Sequence, residues 1–459
     1  MFISAVDTTI VNVAIPDISR DLHAAESELQ WVMDGYLIAL GGFLLVGSGA
    51  ADRFGRKRVF LLGFSGFAVA SVLAAVSATA QELVLARVLM GLAAACVLPP
   101  ALSLLAVMFE PAERPRALGI WAGVSALALG IGPLLGGALL EVVSWRWIFW
   151  VNLPFCLLGV VLVVVSTSEQ RDPAAGKRID VPGLLTIGLG LALVVLALVE
   201  GKTWGWGSAR TLGAFGLGVA LLVAFWFIEH RVQHPIVEFD LFRNRPYFGA
   251  SAAGFCLVGC YWAVMFLQPQ YLQTALGDSA LKAGVLVLPI TAPMIVISPL
   301  GGRLMAFFGT RPLMTAGMAF GTIGLVVMAL VGPTSGYDVL FVGYLLFGLA
   351  LGCVYAPMSA AAMMAMPQEK AGIAAGVLAM NRVLAGALTL AVAGALFQHV
   401  LVDDINAHQP TLVAYTSAQS AADWVLVGLC AIGTVLTWAF VRDADPASHR
   451  HHHRHSHLL

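Results

Sequence analysis

Charge is what this 459-residue chain has least of: Asp, Glu, Lys and Arg make up 11% of it, against about a quarter in a soluble domain. So sparse a supply cannot cover a soluble surface. The 59% hydrophobic content and mean hydropathy of +0.88 place the chain in a lipid bilayer. The formal net charge of −1 says little, because distribution matters more than the sum, and no nucleic-acid partner is expected. Cysteine is also scarce. Cys96, Cys156, Cys256, Cys260, Cys353 and Cys430 all fall in apolar runs, none at metal-site spacing from a histidine, so they read as small core residues. There is no His/Asp/Glu metal cluster, nucleophile motif, soluble catalytic domain or GxxxxGK[ST] nucleotide loop. Enzymatic activity, a cofactor and a metal are therefore not expected. The N-terminus lacks a basic segment and a small-residue cleavage site, so no cleavable signal peptide is read. The apolar segments do not alternate, which excludes a β-barrel and leaves an all-α membrane protein.

What is present is a series of apolar runs, at about 1–16, 29–49, 59–80, 83–107, 116–140, 147–166, 183–199, 211–228, 247–272, 283–308, 313–332, 337–364, 372–401 and 424–441. By length they predict about fourteen transmembrane helices. The first is short for a crossing, with Asp7 only six residues after Met1, and suggests a truncated start. Between the second and third runs stands a basic turn, Arg53, Arg56, Lys57 and Arg58, which marks a cytoplasmic connection. If the connections alternate from there, 18 of the 25 Lys and Arg fall inside and five outside. That bias predicts cytoplasmic N- and C-termini.

Two stretches recur. SGAADRFGRK at 48–57 returns as GRLMAFFGTR at 302–311, and GLAAACVLPP at 91–100 returns as GLALGCVYAP at 348–357. The offsets, 254 and 257, nearly agree. They predict an N-terminal six-helix half (1–166), a linker with an inserted two-helix hairpin (167–235) and a C-terminal six-helix half (236–441). Residues 402–422 read as a polar outside loop. The His-rich segment 442–459 reads as a disordered tail, with loose metal binding as its alternative.

Five stretches in order resemble the major facilitator superfamily, and within it the fourteen-helix drug:proton antiporters. DTTIVNVAIP at 7–16 resembles the first-helix signature, and the 48–57 turn resembles the loop signature between helices two and three. LVLARVLMG at 83–91 resembles the fourth-helix Arg motif, GIGPLLGG at 130–137 the antiporter motif of helix five, and WRWIFWVNLP at 145–154 a stretch typical of the fourteen-helix group. Ser48 stands where the loop signature usually has Gly, and Met90 where the Arg motif often has Gln. Ala306 and Phe307 replace the Asp-Arg pair in the second copy of the turn. The resemblance implies a monomeric exporter in a bacterial inner membrane. It would exchange protons for amphipathic drugs, dyes or other small molecules by rocking two halves, driven by the proton gradient alone. A uniporter or an exporter of one endogenous metabolite is the alternative.

The residues supply candidate roles. Asp7 lies about 13 Å from Pro16 at ~1.5 Å per residue, near mid-membrane, where a carboxylate must be paired, hydrated or protonated. Arg87, inside the fourth run, needs an acid, either Asp34 or Asp7. Asp7, Asp34 and Arg87 form the expected proton-coupling set. Asp34 is read as shallow, about 7–8 Å deep, with Trp31 and Tyr36 beside it to attract a lipophilic cation. Asn12, Trp31, Tyr36, Tyr261, Trp262, Gln268 and Arg382 are expected to line a substrate pocket. Arg382 has no acid in its own run and would face a polar group, a carbonyl or an anionic part of the substrate. Gly130, Gly132, Pro133, Gly136 and Gly137 would kink helix five and let another helix approach closely. Asp52, Arg53, Gly55 and Arg56 are read as a latch that closes the cytoplasmic side.

Overall fold

The computed structural model describes residues 2–99, 101, 114–167, 169, 180–232, 237–366 and 371–441. Among them there is no β-strand. The chain runs α1 (Phe2–Leu22), α2 (Glu26–Phe54), α3 (Arg56–Ala75), α4 (Ala80–Ala95), α5 (Arg114–Val142), α6 (Asn152–Ser166), α7 (Val181–Val199), α8 (Ala209–Glu229) and α9 (Arg245–Gln270). Then come α10 (Ala280–Leu286), α11 (Leu288–Ile297), α12 (Gly301–Phe308), α13 (Thr310–Ala329), α14 (Tyr337–Met364), α15 (Ala371–Asn406) and α16 (Thr411–Phe440). Ten helical stretches among the described residues are long and apolar enough to cross a membrane.

Local chemistry sets the boundaries. Thr79, Asp180, Ser208, Asn244 and Ser279 cap the helices that follow them by accepting a backbone N–H three residues on. Gly55 separates α2 from α3, and its repeat equivalent Gly309 separates α12 from α13. Their φ angles are +110° and +84°, a region that favours glycine. The repeat read from sequence thus has the same backbone turn in both copies.

Three helices differ from the sequence expectation. α1 does not stop at Pro16 but continues to Leu22. The run at 283–308 is divided into α10, α11, a 3₁₀ turn and α12, because Pro289, Pro293 and Pro299 each remove a helix donor. The outside loop expected at 402–422 is mostly helix. α15 reaches Asn406 and α16 starts at Thr411, with Ala414, Ala418 and Ala422 buried along one helical face.

In the first half α2 packs on α4, α1 on α5, and α3 on α4 and α6. In the second, α13 packs on α14 and α16, and α9 on α15 and α16. α7 and α8 form a hairpin whose first helix touches α2 and α15, so it leans on both halves. The halves meet through α2 against α15 and through α5 against α10 and α11. Side-chain hydrogen bonds among the described residues join them. Gln273 Nε2 donates to Val13 O (2.9 Å), Ser279 Oγ to Glu141 Oε1 (2.9 Å) and Gln30 Nε2 to Leu390 O (3.0 Å). All three lie toward the end of the bundle opposite the basic turn. A cavity of about 590 Å³ at that end is lined by both halves, including Asp17, Glu26, Gln273 and Asp278.

Candidate functional site

A buried polar hub forms where α1, α4 and α6 meet. Asp7 and Arg87 are both fully buried, and Arg87 Nη1 stands 2.6 Å from Asp7 Oδ2. The other carboxylate oxygen accepts from Asn152 Nδ2 at 2.9 Å. Asn152 also donates to Ser71 Oγ (2.9 Å), which donates to Phe149 O. Arg87 is oriented further by a bond from Nε to Val32 O (3.1 Å) and by stacking over the Tyr36 ring, 4.3 Å from its centroid. Among the described residues, Arg87 Nη2, Tyr36 Oη and Asn152 Oδ1 find no hydrogen-bond partner. The arrangement is electrically neutral, with one donor to spare. A proton on Asp7 would leave a guanidinium in the core with no counter-ion, a costly state that favours rearrangement. Asn152 was missed as a ligand of Asp7, although it lies inside the 145–154 signature. Nothing in its spacing points to Asp7, because the contact is made across 145 residues.

Asp34 is not the partner of Arg87. Its two oxygens are buried with no counter-ion among the described residues, and Gln30 is the polar side chain beside it. Helical geometry gives the reason. Val32 and Gly35 face α4, where Arg87 and Val88 lie, while Gln30, Asp34 and Gly41 share the opposite face at helical spacing. Gln30 bonds Leu390, and Gly41 packs on Val383 and Leu384, so Asp34 points to the seam between the halves. α2 begins at Glu26, which puts Asp34 about 12 Å along the helix, with no exposed surface. Tyr36 is committed to Arg87, and Trp31 is half-buried on the core. Asn12 is buried one turn from Asp7, its Nδ2 directed to Thr8 O at 3.4 Å and its Oδ1 unpartnered.

Of the candidates of the second half, Arg382, Tyr261 and Trp262 share the neighbourhood of Tyr355 and Gly386, while Gln268 lies apart with Tyr344. Arg382, half-buried, lies over the Tyr355 ring (5.2 Å) and donates to Ser359 Oγ at 3.5 Å, so its neighbours are polar and aromatic. Tyr261 and Trp262 stack edge to face at 5.5 Å, and Trp262 fills the space left by Gly386. The Tyr261 hydroxyl is buried and unpartnered. Gln268 sits inside the second half, accepting from Tyr344 Oη at 2.7 Å.

The glycines of α5 form two close approaches. A Cβ at Gly132 would collide with Thr9, and one at Gly136 would stand 2.9 Å from Ile10 O; both are on α1. A Cβ at Gly137 would stand 2.7 Å from Ala280 O and Leu281 Cα, and Gly284 returns the contact on Pro133 O. α5 therefore touches α1 on one side and the opposite half on the other. Gly130 lies in the same helix, with its surroundings outside the described side chains. At the basic turn, Arg53 is exposed over Phe54, Gly55 abuts Glu169, Arg58 faces Glu169 at 3.6 Å and Lys57 donates to Val164 O and Thr167 O. These partners belong to the end of the same half and to the start of the linker that follows it. Arg56 opens α3, and the Asp52 side chain lies outside the described residues. No group of three or more His, Cys, Asp or Glu that could hold a metal occurs among the described residues.

The family model described as the Major Facilitator Superfamily matches residues 1–390. The Tetracenomycin C resistance and export protein of Streptomyces glaucescens is 34% identical over 392 residues, 85% of this chain and 73% of that protein. The Riboflavin transporter RibZ of Clostridioides difficile is 30% identical over 451 residues, covering 97% and 96% of the two chains. Among solved structures, a bacterial homolog of the human lysosomal transporter Spinster, in an inward-facing and unoccupied conformation, superposes with a TM-score of 0.65. It is 14% identical and covers 97% of this chain and 96% of its own.

Proposed function

Because the chain belongs to the Major Facilitator Superfamily, and is thus a membrane transporter rather than an enzyme, we propose that it is a proton-coupled exporter of amphipathic small molecules. The observation that carries this reading is the pairing of Asp7 with Arg87 in the buried hub while Asp34, at the seam between the halves, has no counter-ion among the described residues. One carboxylate is held by a cation that protonation would free. The other is placed where a cationic substrate or a proton would neutralise it. Proton entry at Asp7 and substrate exit at Asp34 are then two sides of one exchange. The export activity in the name of the Streptomyces relative supports this direction of transport.

In this reading the chain has fourteen transmembrane helices, two six-helix halves flanking the α7–α8 hairpin. Both termini are cytoplasmic, and the protein works as a monomer in a bacterial inner membrane with no cofactor but the proton gradient. With the basic turn in the cytoplasm, the seam hydrogen bonds at the opposite end belong to a state closed to the outside. The 52–56 latch then engages in the other state, when the cytoplasmic ends meet. In energised inverted membrane vesicles, ethidium accumulation is expected to alkalinise the interior and to collapse with a protonophore. Asp7→Asn should abolish both while the protein still folds. Wild-type accumulation in that variant would refute the assignment. The similarity to a riboflavin transporter over nearly the whole chain favours, as a second reading, a carrier of one endogenous metabolite. Saturable riboflavin movement in the same vesicles, with ethidium excluded, would select it.

A further inference from the structure

The last helix buries a carboxylate that no step above uses. Asp423 has no exposed surface and stands about 18 Å along α16 at ~1.5 Å per residue. Its hydrogen bonds come from Gln419, one turn back, whose Nε2 donates to Oδ1 at 3.1 Å and Oδ2 at 3.2 Å. Among the described residues no Lys, Arg or His forms an ion pair with it. The ionisable groups around it are neutral. Cys260 on α9 and Tyr344 on α14 lie within Coulombic reach, and Tyr271 bonds Thr416 one turn before Gln419. α13 meets α16 through Ala329, Thr322 and Met318, and its cation, Arg311, lies over Trp438 at the far end. On α15, Arg382 is turned to Tyr355 and Ser359, while His399 and Asp403 are turned to Lys202.

The internal repeat shows what this cluster is. Arg87 precedes Gly91 by one turn, and Tyr344 precedes the equivalent Gly348 by the same interval. In the first half the residue at this position joins an acid on the first helix, and that acid is steadied by an amide on the sixth. In the second half Tyr344 bonds an amide, Gln268, on the first helix of that half, and the acid, Asp423, lies on its last. Acid and amide have exchanged helices, and the central cation has become a phenol. An ionised carboxylate with no counter-ion in such a core costs several kcal/mol, whereas the neutral acid needs only an acceptor for its O–H. One is at hand: Gln419 Oε1 is buried without a partner, and a half-turn of that amide brings it against the carboxyl.

We propose that Asp423 is a second proton-binding site, the counterpart in the C-terminal half of the Asp7–Arg87–Asn152 hub. That the proton is bound follows from the cluster itself; that it is exchanged during transport rests on the export function proposed above. Infrared difference spectroscopy of the full chain reconstituted in lipid tests the first part. At about pH 6, above an ordinary carboxyl pKa, the protonated-carboxyl stretch of wild type is expected to contain, beside any Asp34 component identified by its loss in Asp34→Asn, a component that Asp7→Asn retains and Asp423→Asn loses. The same band in Asp423→Asn as in wild type would overturn the site. Should Asp423→Asn fail to fold, Gln419→Leu keeps the acid and removes its amide, so the band must change frequency; an unmoved band would overturn the site equally. The second part is read in vesicles as protons moved per ethidium, which should fall in Asp423→Asn. A ratio equal to wild type would overturn exchange. If wild type moves no protons with ethidium, the export reading fails while the infrared band still decides this site.

Discussion

Replacing Arg87 by Met removes the cation from the hub and leaves Asp7 buried with one remaining donor, Asn152. Truncating one member of a buried pair costs about 3–5 kcal/mol, because the survivor is an uncompensated charge. Asp7→Asn strands the guanidinium in the same way, left with Val32 O, Met90 Sδ and the Tyr36 ring to face. Asp7→Asn combined with Arg87→Met holds no charge, and an amide beside an apolar chain of similar length fits the same volume. Such neutral replacements are often tolerated or stabilising. The double variant should therefore be more stable than either single one, with a coupling energy of about 3 kcal/mol or more, over a hundredfold in the folded ratio. Unfolding of the purified protein in mixed detergent–SDS micelles gives the four free energies needed. The double variant should fold but fail to alkalinise vesicles on ethidium addition. Single-variant losses that simply add, within about 0.5 kcal/mol, would show that the two side chains are not a unit and would remove the basis for coupling through them.

Asp34→Asn should abolish export of a permanent cation such as ethidium while leaving stability equal to or above wild type, because a buried carboxylate with no counter-ion among the described residues is removed; a loss of stability on unfolding would count against that lack of a counter-ion. Gly137→Leu places a side chain into the backbone of α10 and should slow transport far more than it lowers stability, overpacking costing about 1–3 kcal/mol; transport at wild-type rate would mean that the seam never tightens. Asp21 lies past the apolar part of α1, where Arg146 and then Trp145 hold its carboxyl below the usual range. It therefore favours the folded form above about pH 4, and that contribution is lost as pH falls through its lowered pKa. Asp21→Asn should flatten the acid limb of a stability–pH profile, and an unchanged limb would assign that slope to other acids.

The parts of this fold that are periodic were legible in the sequence. Apolar runs announced the helices, and the 254-residue repeat announced a turn that Gly55 and Gly309 both make with positive φ. Arg87 was legible as a residue in need of an acid, but its choice between Asp7 and Asp34 depends on which face of α2 meets α4, a matter of two or three residues of helix phase. Asn152 and Tyr344 were not legible as partners, because an amide or a phenol in an apolar run carries no charge that demands one. Asp423 was hidden for another reason. The polar residues around it suggested a loop, whereas the regular spacing of Ala414, Ala418 and Ala422 carries the helix straight through.

One feature of α5 bears on fidelity rather than on speed. Through Gly132 and Gly136 this helix rests on the turn of α1 just past Asp7, and through Gly137 it rests on α10 of the opposite half. In the exchange proposed above, protonation at the hub and the position of the outer gate therefore meet in one helix. A faulty bearing on that helix would not stop the machine but uncouple it, letting the gate swing without regard to whether the hub is protonated. Slippage, in the form of proton leak or downhill substrate escape, is thus the failure to look for when these glycines are replaced by alanine, even where every carboxylate remains in place.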